Sequence, residues 1–123
     1  MKSIVTGGAG FIGSHLVDKL LDIGHEVVVL DNFSTGRKEN LSHVDAQIKL
    51  VECDLSIKRE WIKEFDQVDW VFHLASLADI VPSIQNPESY FRSNVDATFY
   101  VLEATRHANV KRFIYSASSS CYG

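Results

Sequence analysis

The sequence predicts an α/β fold built on a doubly wound parallel sheet, and three observations predict it. A short β-rich run, Lys2-Ser-Ile-Val-Thr6, ends in a cluster of glycines and passes at once into an amphipathic helical pattern. Glu26-Val-Val-Val-Leu-Asp31 is a near-continuous β-branched run, as expected of a strand covered on both faces. Further strand-like runs at 47–53, 69–74 and 111–116 are separated by loops and helical stretches. Strand, helix, strand repeated along one chain gives a parallel sheet with right-handed crossovers and helices on both faces. The expected strand order is 3-2-1-4-5, with a cleft above strands 1 and 4 where the order reverses.

The first strand-to-helix turn carries the densest signal. Gly8, Gly10 and Gly13 satisfy G-x-G-x-x-G, and Gly7, Gly10 and Gly13 satisfy an alternative frame with three-residue spacing. Such glycines permit a tight turn, close approach of main chain to a pyrophosphate, and helix-on-strand packing with no Cβ between. Main-chain N–H groups and the positive end of the helix converge there, so the turn is suited to an anion. Gly24 stops the helix, and Asp31 closes the second strand eighteen residues after Gly13, where the ribose of a dinucleotide needs an acceptor. A carboxylate accepts from two ribose hydroxyls but repels a phosphate in the same place, which favours NAD over NADP. The polar loop 32–38 leaves the end of that strand on the adenosine side.

Strand 47–53 leads into Asp54-Leu55, and Ser56 is placed to cap a short helix through Phe65. Strand 69–74 ends in Ala75-Ser76, small residues that let a bound ring lie against main chain. His73, alone within an apolar strand, reads as a satisfied core residue rather than a catalyst. The stretch 78–87 carries Pro82 and Pro87 and is expected to be irregular, before a long helix over 88–107. That helix has two apolar rows, Phe91, Val95, Phe99 and Leu102 in one and Ala97, Val101 and Ala104 in the other. The arc is wide enough to pack on the sheet and on a second helix, so a homodimer through 88–107 is expected. Strand 111–116 runs into Ala117-Ser-Ser-Ser-Cys-Tyr-Gly123. Thr6-Gly7, Asp31, Asp54, Ala75 and Ser118 therefore all reach the carboxyl edge of the sheet.

Bulk properties narrow the function. At 123 residues the chain is one domain by length, and a net charge of −4 with interspersed signs points away from nucleic acid and anionic membrane. No apolar segment reaches spanning length and no signal-peptide pattern opens the chain, so the cytoplasm is expected. Cys53 and Cys121 read as thiols, and neither they nor the five His have metal-ligand spacing.

Taken together, Thr6-Gly-Gly-Ala-Gly-Phe-Ile-Gly-Ser-His15, Asp31-Asn32, Asp54-Leu55, His73-Leu-Ala75, Asn94-Val95, Val110-Lys-Arg-Phe113 and Ser118-Ser-Ser-Cys-Tyr-Gly123 resemble the extended short-chain dehydrogenase/reductase family. Within it they resemble in particular the NAD-dependent nucleotide-sugar epimerases such as UDP-glucose 4-epimerase. The likeness covers the whole chain and the amino-terminal half of the family's length, which implies a Rossmann domain truncated before the substrate domain. It also implies roles by position. Phe11 and Ile12 would offer N–H groups to the pyrophosphate beside Gly7, Gly10 and Gly13. Asp31, Asn32, Phe33, Ser34, Thr35 and Gly36 would hold the adenosine ribose, and Asp54 with Leu55 would flank the adenine. Leu74, Ala75 and Ser76 would line the nicotinamide half, with Ser93 and Ser116 in the same cofactor set and Asn94 structural or part of a proton relay. Ser118 matches the catalytic hydroxyl, which bonds the substrate oxygen that is oxidised.

In the family that serine assists a tyrosine of a Tyr-x-x-x-Lys motif, which takes the substrate proton while NAD takes hydride from the sugar C4. The 4-keto intermediate turns over and hydride returns to its other face. No Tyr-x-x-x-Lys occurs in these 123 residues, so this chain is expected to bind NAD without catalysing. Ser119-Ser120 follow Ser118 where sugar dehydratases of the family carry Asp-Glu, which favours epimerisation of a UDP-sugar. Ala78 and Pro82 depart from residues that are basic in related epimerases and leave the sugar open. The alternatives are another NAD-dependent sugar-nucleotide enzyme (a decarboxylase, reductase or dehydratase) or, were the chain complete, a non-catalytic NAD-binding module. An unpaired edge on the fifth strand leads to an expectation of marginal stability or self-association.

Overall fold

The computed structural model describes residues 1–77 and 80–117. Five parallel strands, β1 (Lys2–Thr6), β2 (Glu26–Asp31), β3 (Ile48–Glu52), β4 (Trp70–His73) and β5 (Arg112–Tyr115), form one sheet in the order β3-β2-β1-β4-β5. The direction of strand addition reverses between β1 and β4, as the sequence predicted. Register is fixed by what each strand must bury. β2 pairs Val28 with Ile4 of β1, and β4 sets Val71 opposite the same Ile4, so one row of β-branched side chains crosses the sheet centre. Each such side chain removed from water stabilises the fold by roughly 1.5–3 kcal/mol.

Two layers cover the sheet. On one face lie α1 (Phe11–Asp22) and a 3-10 helix, Lys38–Gln47; Val17 and Leu20 of the first and Leu41 and Val44 of the second pack on Val5, Val27 and Val29. On the other face Ala97, Val101 and Ala104 pack with Trp61 and Phe65 on Ile4, Val28, Leu30 and Val71.

The helical run over this second face has three segments, α3 (Pro87–Phe91), a π-helical turn Arg92–Asp96 and α4 (Ala97–His107). The sequence predicted one uniform helix over 88–107, and periodicity alone gave no sign of the wider turn. A π turn commonly marks a functional position, because it re-aims the side chains it carries. Here it carries Ser93 and Asn94.

Two expectations are corrected. Within the stretch expected to be irregular, Ile80–Gln85 form a helix, α2, which tolerates Pro82 because it lies in the first turn, where no intrahelical donor is required. Asn86 then caps α3, its side chain accepting from the Ser89 N–H at 3.4 Å with Pro87 at the first helical position. Ser56 does not cap a helix through Phe65. Its N–H and hydroxyl both donate to Asp54 Oδ1, at 2.9 and 2.6 Å, closing a local turn, and the helix between β3 and β4 is the short 3-10 segment Glu60–Phe65. Among the described residues no helix is long and apolar enough to cross a membrane.

Candidate functional site

The carboxyl ends of β1, β2 and β4 open onto one cleft. Its walls comprise Gly7 and Gly10 from the first turn, Asp31, Asn32, Ser34, Thr35 and Gly36 after β2, and Cys53, Asp54, Leu55 and Ser56 after β3. Leu74, Ala75, Ser76 and Leu77 after β4, with Ser93 and Ala97 from the helical run, complete them. The space between these walls, including what is open to solvent, is about 660 Å³.

The glycines are dictated by contact. Gly7 has φ +70°, a backbone region costly for other residues, and a Cβ there would stand 2.9 Å from the Ala75 nitrogen. A Cβ on Gly13 would collide with the Gly7 carbonyl oxygen and stand 2.8 Å from Gly8 Cα, so only glycine lets α1 start this close to the turn. Gly10 is the residue before the helix, and the first turn of α1 holds no acidic side chain to neutralise its positive end.

Asp31 is 7% exposed and its carboxylate is already engaged: Oδ2 accepts from the Ala9 N–H at 2.9 Å and Oδ1 from the Phe33 N–H at 2.8 Å. Each oxygen keeps a second lone pair, and Asp31 lines the cleft, so it can still accept from two hydroxyls. The carboxylate thus ties the glycine turn to the loop after β2 while presenting acceptors outward. That loop is closed further by Asn32 Oδ1 accepting from the Ser34 N–H and by Arg37 N–H and Asn40 Nδ2 both donating to the Ala9 carbonyl.

The β4 side is held by a buried chain of hydrogen bonds. The Leu74 and Ala75 N–H groups reach Thr6 Oγ1 at 3.0 and 3.1 Å, the former shared with the Thr6 carbonyl at 3.2 Å. With both lone pairs of the hydroxyl occupied, its proton goes to His73 Nδ1, 2.7 Å away. His73 is therefore the Nε2–H tautomer, donating to Thr98 Oγ1 at 2.8 Å, and the Thr98 hydroxyl donates to the Asn94 carbonyl at 2.9 Å. Burial holds its pKa down at about 4. The ring is 1% exposed with both nitrogens partnered, a satisfied core residue. Asn94 pairs its side-chain amide with the Leu77 main chain, accepting from N–H and donating to C=O at 2.9 Å each, which pins the stretch after β4 to the π turn.

Thirteen of the residues expected to hold a cofactor line this one cleft: Gly7, Gly10, Asp31, Asn32, Ser34, Thr35, Gly36, Asp54, Leu55, Leu74, Ala75, Ser76 and Ser93. Phe11, Ile12, Gly13 and Phe33 do not line it. Phe11 and Ile12 turn exposed side chains to solvent at the start of α1, Gly13 packs beneath the turn, and Phe33, at φ 59°, caps Asp31 through its N–H. Ser116 borders an adjoining hollow with His73, Asn94, Thr98 and Tyr115. Ser118 lies outside the described residues. Sequence reasoning missed Cys53 as a wall residue; burial, then the Asp31, Asp54 and Glu64 carboxylates, push its thiol up to about 12. It also missed the Thr6 and Thr98 hydroxyls, whose partners lie far away in sequence and leave no local pattern. Among the described residues no cluster of His, Cys, Asp and Glu is placed to hold a metal.

The residues present fit a dinucleotide. A Cβ-free turn at a positive helix end suits the pyrophosphate, an outward-facing acid suits a ribose, and small residues after β4 leave room for a ring. Known proteins agree. The chain is 41% identical to UDP-glucuronic acid decarboxylase 1 of Arabidopsis thaliana, over 100% of its own length and 27% of that protein's. It superposes on the UDP-glucose 4-epimerase of Thermotoga maritima, solved with UDP-glucose, with a TM-score of 0.92 and 36% identity, covering 100% of this chain and 40% of that one. On the Thermus thermophilus UDP-glucose 4-epimerase solved with NAD, the TM-score is 0.84 at 38% identity, covering 92% and 36%. The chain thus spans between about a quarter and two fifths of these relatives. The sequence profile of the NAD dependent epimerase/dehydratase family matches residues 3–123, and with the cleft's geometry this makes the chain a member of that family, whose cofactor is NAD.

Proposed function

We propose that residues 1–123 form the NAD-binding domain of a nucleotide-sugar 4-epimerase acting on a UDP-sugar. The observation that carries this is the arrangement around Asp31. One buried carboxylate anchors the glycine turn through Ala9 and keeps lone pairs facing a cleft that runs from Gly7 to Ser93. In this reading Gly7, Gly10 and the Phe11 and Ile12 N–H groups take the pyrophosphate, and Asp31 with the 32–36 loop takes the adenosine ribose. Asp54 and Leu55 flank the adenine, and Leu74, Ala75, Ser76, Ser93 and Ser116 take the nicotinamide half. NAD supplies the hydride acceptor. Ser118 bonds the sugar oxygen that loses its proton.

A second reading, a UDP-sugar decarboxylase, is favoured by the Arabidopsis thaliana relative at 41% identity. Incubation of the whole protein with NAD and either UDP-glucose or UDP-glucuronic acid, followed by proton NMR, separates the two. Interconversion of UDP-glucose and UDP-galactose is expected. Carbon dioxide release from UDP-glucuronic acid without epimerisation would replace the first reading by the second.

The same proposal includes a homodimer. Ala97, Val101 and Ala104 are buried on the sheet, while Phe91, Val95, Phe99 and Leu102 are 57%, 49%, 56% and 44% exposed in one row. A row of large apolar side chains left in water at helical spacing suits a second copy of the same helix.

A further inference from the structure

We propose that His73 is a positioning residue for the nicotinamide half of the cofactor. This rests on the reading that Leu74 and Ala75 line that half. The hydrogen-bond chain through His73 has one direction only. Thr98 donates to the Asn94 carbonyl, His73 Nε2–H donates to Thr98, Thr6 donates to His73 Nδ1, and the Leu74 and Ala75 N–H groups donate to Thr6.

Reversing any member strands another. If Nδ1 carried the proton, the Thr6 hydroxyl would face three donors with two lone pairs: the Ala75 N–H would lose its partner, or the Leu74 N–H would be left with the Thr6 carbonyl alone. His73 thereby fixes where the Leu74-Ala75 main chain stands relative to the Gly7 turn, whose virtual Cβ already lies 2.9 Å from the Ala75 nitrogen. Through Thr98 the same ring is tied to the π turn that carries Ser93. The adenosine end, built on Asp31 and Asp54, has no member in this chain of bonds.

That separation supplies the test, calorimetric titration of wild type and variants with NAD and with ADP-ribose, which lacks the nicotinamide. For His73→Leu, NAD binding is expected to weaken about tenfold while ADP-ribose binding stays within about twofold of wild type. His73→Asn, whose side-chain oxygen can replace Nδ1 as acceptor, is expected to recover most of the NAD affinity. Equal loss of both ligands, or full retention of NAD by His73→Leu, would overturn the assignment. Should His73→Leu not fold, Thr98→Val removes only the far acceptor. A weakening of about threefold confined to NAD supports the role, and an unchanged ratio overturns it. A wild-type protein that bound neither ligand would instead remove the cofactor reading on which the assignment rests.

Discussion

Asp31 shows how much one side chain can carry. As a strand-end carboxylate it caps two backbone N–H groups, and charge-assisted bonds of this type contribute about 1.5–3 kcal/mol each. Asp31 also lines the cleft, so in the proposed function the acid that organises the site is its ribose acceptor as well. Cys53, on the neighbouring wall, shows the opposite case. Burial and three carboxylates hold its thiol near a pKa of about 12, so almost no thiolate forms at neutral pH. Iodoacetamide at pH 8 is expected to leave Cys53 unlabelled in the folded protein and to label it in urea. Peptide mapping of the alkylated protein reads the difference, and rapid labelling of the folded protein would contradict this environment for the thiol.

At the scale of elements, the helical run over 87–107 divides its two apolar rows between the sheet and solvent. Phe99→Glu places a charge in the exposed row without touching the buried one, so the fold is expected to persist while self-association is lost. Sedimentation velocity at micromolar concentration is expected to show a dimer for wild type and a monomer for the variant; a wild-type monomer would contradict the proposed interface. All five strands and both rows were legible in the sequence, because period and β-branched runs are local properties. Three features were not. The π turn carries Asn94, whose partner Leu77 lies seventeen residues away in sequence. The α2 helix was hidden by reading Pro82 as a breaker, although a proline in a first turn breaks nothing. Ser56 turns back on Asp54 as a donor and the 3-10 helix begins only at Glu60, too far on for the Ser56 oxygen to accept from its first turn.

At the scale of the whole molecule, cleft and sheet share one buried histidine, which makes stability depend on pH. The folded pKa of His73, about 4, lies below its ordinary value of 6.5, so the unfolded chain binds the proton first. Stability is therefore fully present above pH 6.5 and is lost as pH falls from there toward 4, by about 3 kcal/mol for this group. Urea unfolding at pH 7 and pH 4.5 is expected to show this loss, and His73→Asn to reduce it; a midpoint equal at both values would contradict the burial of a neutral imidazole. The position of the cleft was legible from one edge of the sheet, since the glycine turn, Asp31, Asp54 and Ala75 each follow or end a strand. What joins them, the bonds through Thr6, His73 and Thr98, spans up to 69 residues of sequence and needs the folded chain.

The proposed binding of a dinucleotide between the glycine turn and Asp31 underlies all of this, and calorimetric titration with NAD and NADP tests it. NAD is expected to bind one per chain and more tightly than NADP, with Asp31→Ala weakening NAD at least about tenfold. Absence of NAD binding, or tighter binding of NADP, would contradict it.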